Sequence, residues 1–224
     1  MENEEIEIKL DLQNLTNYKN LLQYFDNRGE TSRLQNYFFD DKSFSLGSKG
    51  LVLRIRIKGD KAVMTLKGRK KKSPVELAIR REIEEEIPIE SAILAIKEGF
   101  SRDKIPARIR DEIEKGINLK VAEKFLFFET SRTEIPWSSG ELNLILEIDR
   151  TYYPDGTEDY ELEIELADKK EVTRIMGQIK GLLSKIHIPL VFQHESKFAR
   201  AVNKTRFEKN TRYVEMKDSN SNSN

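Results

Sequence analysis

The chain of 224 residues contains no cysteine and only two histidines, His187 and His194. The lack of cysteine excludes disulfide scaffolds, thiol nucleophiles and Cys-ligated zinc. Two histidines exclude a multi-His metal centre. No apolar run approaches the roughly 20 residues of a membrane-spanning helix, and Met1 leads into an acidic stretch rather than a signal peptide. The expectation is a cytoplasmic protein with no membrane partner. Charge of one sign is not in excess either: 39 Lys and Arg balance 39 Asp and Glu. Phosphate-backbone binding needs surplus positive charge, so a nucleic-acid partner is not expected. What the chain does have is ions, with 35% charged residues against 38% hydrophobic. Any chemistry must come from carboxylates, Lys and Arg. The length suits one large domain or two small ones, an all-β barrel among them.

Period-2 alternation dominates. It predicts strands at 5–10, 34–40, 51–58, 62–67, 76–87, 123–133, 141–149 and 160–166, with Gly59-Asp60 turning the third into the fourth. Residues 68–73, with the basic run Arg69 to Lys72, read as a solvated loop. Helical spacing appears at 12–27, where Leu15, Tyr18, Leu22 and Phe25 share a face, and at 172–186, where Ile175, Ile179, Leu182 and Leu183 do. A mainly helical insert is expected at about 91–120, with Ile93, Leu94, Ile96 and Phe100 on one short helix and Ile109, Ile113 and Ile117 on another. Residues 189–207 are mixed and expected to pack back on the sheet. The Ser/Asn-rich end of a tail at 208–224 reads as disordered. The domain is thus expected over residues 1–207. An Ile stripe left exposed on the helices would make a homodimer.

The polar half of each strand is charge. Glu5, Glu7 and Lys9 share a face, as do Arg54, Arg56 and Lys58, then Thr65 and Lys67, then Arg80, Glu82, Glu84 and Glu86, then Glu161, Glu163 and Glu165. The opposite faces are almost wholly Ile, Leu and Val. For any one strand, charge facing water is the ordinary reading. The set reads differently. Like charges two residues apart sit about 7 Å from one another and repel. Yet the signs are segregated strand by strand. An even number of antiparallel strands closes into a barrel without edges. Such a barrel, apolar outside under helices and charged inside, would have an acidic and a basic wall. Clustered Arg and Lys call for an anion of high charge density. Paired carboxylates without His or Cys suit Mg²⁺ or Mn²⁺. A polyphosphate with its metal satisfies both walls.

The motifs resemble those of the CYTH superfamily, the triphosphate tunnel metalloenzymes. "EIEIK" at Glu5 to Lys9 is similar to that family's E-x-E-x-K signature. In order follow "NYFFDD" (Asn36 to Asp41), "LRIR" (Leu53 to Arg56), "TLK" (Thr65 to Lys67), "RREIE" (Arg80 to Glu84), "SRT" (Ser131 to Thr133), "LEIDR", "YPDG", "YELEIEL" and "SKFAR" (Ser196 to Arg200). The resemblance implies an α+β, mainly β fold: an eight-stranded antiparallel barrel tunnel with a charged lumen and helices outside. It implies a metal-dependent triphosphatase acting on inorganic tripolyphosphate or a nucleoside triphosphate. Glu5, Glu7, Asp149, Glu163 and Glu165 would hold the metal. Lys9, Arg54, Arg56, Lys67, Arg80, Arg132, Lys197 and, at the tunnel mouth, Arg200 would bind phosphate. Glu82 and Glu84, inward acids of the fifth strand, would either support the residues around them or, one or the other, orient water, with Lys67 as a further catalytic group. The Tyr of the thiamine triphosphatase branch is replaced by Phe38, with Tyr37 on the other face, which argues against thiamine triphosphate as preferred substrate. The alternatives are a class IV-type adenylyl cyclase and a non-catalytic polyphosphate or nucleotide sensor.

Overall fold

The computed structural model describes residues 3–71, 73–74, 76–139 and 142–205. Among the described residues nine strands occur in chain order: β1 Asn3–Asp11, β2 Glu30–Asp40, β3 Val52–Lys58, β4 Lys61–Lys70, β5 Ala78–Ile87, β6 Phe100–Ser101, β7 Val121–Ser139, β8 Leu142–Tyr152 and β9 Glu158–Glu165. All the pairings are antiparallel. The order β2-β3-β4-β5-β1-β9-β8-β7 closes through a β2–β7 ladder, so eight strands form the barrel. The ninth, β6, is a two-residue addition on the outer edge of β7. The expected eight-stranded closed barrel is therefore present.

Closure leaves each strand one inward and one outward face, and the outward faces are apolar. Ile6, Ile8, Leu10, Leu146, Ile148, Leu162 and Ile164 pack in one cluster with two helices. These are α1 (Leu15–Tyr24) and α5 (Val172–Lys185). The α5 residues buried there are Ile175, Ile179, Leu182 and Leu183, the predicted face. Asn14 caps α1 by accepting the Asn17 N–H at 2.9 Å. The chain leaves α1 through Asp26 and Asn27 at positive φ, so the helix is shorter than predicted. Its buried residues are Tyr18 and Leu21, with Leu15, Leu22 and Phe25 only partly covered.

A second outer cluster joins Leu53, Ile55, Met64, Leu66 and Ile83 to α3 (Ile89–Glu98) and α4 (Ala107–Glu114). Ile109 and Ile113 are buried as expected, with Ile117 partly so. On α3 the expected face is corrected. Ala92 and Ala95 are buried, whereas Ile93 and Leu94 are 57% and 54% exposed, and Phe100 belongs to β6. Small residues let α3 approach the sheet closely. Arg81 pairs with Glu112 and Arg108 with Glu85, tying the insert to β5.

Three further boundaries differ from the sequence pattern. β4 runs on to Lys70 through a register shift between Lys67 and Lys70, so part of the expected basic loop is strand. β7 continues past Thr133 to Ser139 through Pro136, a residue that usually ends a strand. A one-turn helix α2 (Ser45–Ser48) sits in the β2–β3 connection. Its backbone N–H groups at Leu46 and Gly47 donate to the buried Asp40 carboxylate. Residues 197–205 form a last helix, α6, laid against the barrel, in keeping with the mixed segment expected there. Residues 208–224 lie outside the described ones.

Candidate active site

The inward faces enclose a cavity of about 240 Å³. It is lined by Glu5, Glu7 and Lys9 of β1, Asn36 and Phe38 of β2, Arg54 and Arg56 of β3, Lys67 of β4, and Arg80, Glu82 and Glu84 of β5. The remaining wall includes Thr130 and Arg132 of β7, Glu147 and Asp149 of β8, Glu163 and Glu165 of β9, and Lys197 of α6. Fourteen of the fifteen basic and acidic residues predicted for the site thus line one cavity, Arg200 being the exception. Seven cationic side chains face eight carboxylates among the described lining residues. Such a volume lies below the ~300–1,000 Å³ typical of pockets for organic ligands. It has room for a small, densely charged one.

The two signs are not evenly matched around the wall. Lys197 Nζ sits 2.9, 2.8 and 2.7 Å from Asp149, Glu161 and Glu163. Arg132 forks onto Asp149 at 2.8 and 2.6 Å, reaches Glu163 at 2.5 Å and pairs with Glu147. Lys9 pairs with Glu7 and Glu163. Burial opposes ionisation of Asp149 and Glu163, but Lys197 leads the cations that outweigh it and hold both carboxylates below their ordinary range. Two expected metal ligands are therefore spent on basic partners in this arrangement.

Across the cavity compensation is thin. Arg56 donates its Nε to Asn36 Oδ1 at 3.0 Å and pairs with no carboxylate among the described residues. Burial, with the charges of Arg54 and Arg132 adding to it, pulls its proton affinity down to about 9. Arg54 reaches Glu84 at 3.4 Å and Glu82 at 3.6 Å, and Arg80 reaches Glu5 at 3.8 Å. The Nε atoms of both arginines are buried without an acceptor. Buried donors without partners are costly and rare. Their grouping leaves cationic donors with capacity for further acceptors.

The acids have a matching spot. Glu165 makes no ion pair among the described residues, and burial followed by the charges of Glu5, Glu7 and Glu82 raises its carboxyl. Lys67 partly offsets that group, 2.9 Å from Glu5 and 3.1 Å from Glu82. Carboxylate oxygens in excess of nearby cations are the donor set of a hard divalent ion. Among the described residues no three acids already stand at cage spacing. The fit is one of donor chemistry and charge.

Glu147 is the lining acid that the sequence reading missed. Burial, with Glu163 and Asp149 beside it, lifts it to about 7 despite Arg132. Its signal was the alternation of "LEIDR", which puts Glu147 on the face of Asp149. Arg200 departs from expectation in the other direction. It is not part of the lining; its guanidinium is held by Asp159 at 2.6 Å, Glu161 at 2.8 Å, Tyr153 Oη at 3.2 Å and the Glu195 carbonyl at 2.6 Å. Lys58 and Glu86, on the faces of Arg56 and Glu84, also lie outside the lining, at the barrel end. Tyr37 stacks on Phe127 outside, while Phe38 points inward onto Phe128 and Phe198, as the register predicted. Neither histidine nor Trp137 touches the lining. Val52 and Phe198 also border a second, mainly apolar cavity of about 640 Å³ that includes Phe44 and Phe125.

A charged lumen inside an antiparallel barrel is matched by the CYTH domain model over residues 3–201. The chain belongs to the CYTH family. It is 30% identical over 191 residues to the Bacillus subtilis (strain 168) candidate triphosphatase YjbK, covering 80% of this chain and 88% of that protein. A solved structure of a candidate adenylyl cyclase from Hippeastrum, described as having a dominant triphosphatase activity, is 28% identical with a TM-score of 0.74. That match covers 89% of this chain and 95% of the other. A candidate adenylate cyclase from Bacillus halodurans matches at 27% identity and a TM-score of 0.67, over 88% and 97% of the two chains. The family implies a divalent metal. No helix among the described residues of this CYTH protein is long and apolar enough to cross a membrane.

Proposed function

We propose that this CYTH protein hydrolyses a triphosphate, inorganic tripolyphosphate or a nucleoside triphosphate, releasing the terminal phosphate. The observation that carries the reading is the group of inward guanidinium groups with thin compensation: Arg56 has no carboxylate partner among the described residues, and Arg54 and Arg80 reach theirs only at 3.4–3.8 Å with their Nε atoms buried without an acceptor. Lys9, Arg54, Arg56, Lys67, Arg80, Arg132 and Lys197 bind the phosphate oxygens and hold the chain in line for attack. Glu5, Glu7 and Glu165 would hold a divalent cation, Mg²⁺ or Mn²⁺, joined by Glu163 and Asp149 as their basic partners turn to phosphate. When bound, that cation offsets charge on the phosphate oxygens.

Water orientation falls to Glu84. Its side chain is 52% exposed, so bulk water reaches it. Against burial, the Thr65 hydroxyl at 2.9 Å and Arg54 keep it ionised. Glu82 is committed to Lys67 and Arg54. Lys67, between Glu5 and Glu82, supplies positive charge to the phosphate that departs.

Incubation with tripolyphosphate and with ATP, in Mg²⁺ or Mn²⁺, tests this. Orthophosphate as the main product is expected, and chelating the metal should abolish it. The apolar cavity beyond Val52 and Phe198 gives the cyclase reading its one specific support, since it is large enough for a nucleoside. Cyclic AMP with pyrophosphate as main products would establish that reading instead. Binding without turnover, unaltered in Glu5→Gln and Glu163→Gln, would make the protein a sensor.

A further inference from the structure

Lys197 lies in the lumen, yet its ammonium is already surrounded by Asp149, Glu161 and Glu163. To grip phosphate it must turn away from them. Asp149 and Glu163 then still have Arg132, and Glu163 has Lys9 as well. Among the described residues Glu161 has one other cation within hydrogen-bond distance. Arg200 Nη2 lies 2.8 Å from Glu161 Oε2, the same oxygen that Lys197 occupies at 2.8 Å. Glu161 is 1% exposed and its Oε1 has no partner. Without Arg200, the departure of Lys197 would strand a buried carboxylate, a costly state.

We propose that Arg200 is a positioning residue that acts through Glu161, keeping that carboxylate compensated so that Lys197 is free to bind the substrate. This rests on the hydrolase reading above and replaces the direct phosphate contact expected of Arg200. The geometry equips Arg200 for the role. Asp159 Oδ2 on its Nε and the Glu195 carbonyl on its Nη1 fix the guanidinium. The Ser196 hydroxyl accepts the Ala199 N–H at 3.2 Å at the start of α6, so Lys197 and Arg200 leave one turn in fixed relation. The arrangement exchanges partners without leaving a charge bare: Lys197 passes from acids to phosphate, and Arg200 stays.

Steady-state turnover and calorimetric binding of tripolyphosphate, with melting curves, test this in Arg200→Ala, Arg200→Lys, Glu161→Gln and the double variant Arg200→Ala/Glu161→Gln. Arg200→Ala should raise KM about tenfold with kcat changed less than about threefold, the signature of lost binding rather than lost chemistry. Arg200→Lys should recover most of that loss. Removing the buried charge should make Arg200 dispensable, so the double variant should return to within about threefold of Glu161→Gln alone. Asp159→Asn, which loosens the anchor but leaves Glu161 paired, should lower the melting temperature and leave KM within about twofold. A KM for Arg200→Ala within about twofold of wild type, or a double variant whose loss is the product of the single losses, overturns the assignment while leaving the hydrolase reading intact. Should Arg200→Ala not fold, the comparison of Arg200→Lys with and without Glu161→Gln decides in the same way. A wild-type protein that neither binds nor hydrolyses tripolyphosphate overturns both.

Discussion

On the β7–β8–β9 side of the tunnel, Arg132 and Lys197 are each held by three carboxylates. On the β3 side, Arg56 faces none among the described residues and has only the Asn36 amide oxygen. The same residue types thus carry out two tasks. Where cations and acids interlock, the barrel is stapled shut by ions that cannot be removed singly. Where guanidinium groups stand together with thin compensation, the proposed function has stability given up to keep an anion site ready. On that reading most of the binding strength comes from this second half; in the first, Arg132 and its acids give rigidity while Lys197 can pass from its acids to phosphate.

The largest effect expected from breaking the comparison is at Arg132. Arg132→Ala would leave Glu147 without its ion pair and take from the buried Asp149 and Glu163 one of the cations that hold them. Loss of about 3–5 kcal/mol of stability is expected, together with loss of tripolyphosphate turnover; denaturant unfolding measures the first. An unchanged unfolding midpoint would mean that the interlocked half does not staple the barrel.

Next comes Glu147, whose carboxyl is lifted to about 7 by burial and by Glu163 and Asp149. Its folded-state pKa lies above its unfolded value, so the folded protein binds more protons between the two. Stability is therefore highest below the ordinary carboxylate pKa and falls as pH rises through about 7. Glu147→Gln should melt higher than wild type at about pH 8 and equal it at about pH 5. A gain of the same size at both would remove titration as the cause.

The smallest effect is reserved for Lys58. It shares a strand face with Arg54 and Arg56, but its pair with Glu134 at 3.3 Å is solvent-exposed. Lys58→Ala should cost no more than about 0.5 kcal/mol and leave KM for tripolyphosphate unchanged. A large KM effect would extend the anion site to the barrel end.

Much of this division was legible in the sequence. "EIEIK", "LRIRIK" and "YELEIEL" carry their charges at period 2, and segregation by sign pointed to an interior with two walls. The structure puts Ile6, Ile8, Ile55 and Ile164 under the helices and their ionic neighbours inside. Which cation pairs with which acid was not legible. Lys197 and Arg200 lie one helical turn apart in one motif, yet the first enters the lumen and the second turns to Asp159 and Glu161. That split depends on where α6 crosses the barrel, a contact between segments about forty residues apart along the chain. The length of β7 was hidden for a local reason. Pro136 breaks the pattern, but the ladder to β8 carries on through the Pro136–Ile145 pairing. On α3 a count of large apolar residues chose the wrong face, because close packing against the sheet favoured Ala92 and Ala95.

The central claim, that the uncompensated half is an anion site, is tested most directly at Arg56. The measurement is the affinity of Arg56→Ala for tripolyphosphate in Mg²⁺ or Mn²⁺, read by calorimetry beside a melting curve of the same sample. A crowded cation without a carboxylate partner should be dispensable for folding and required for binding. The account predicts affinity weakened about a hundredfold with a melting temperature unchanged or raised. Wild-type affinity, or a lowered melting temperature with binding retained, would contradict it.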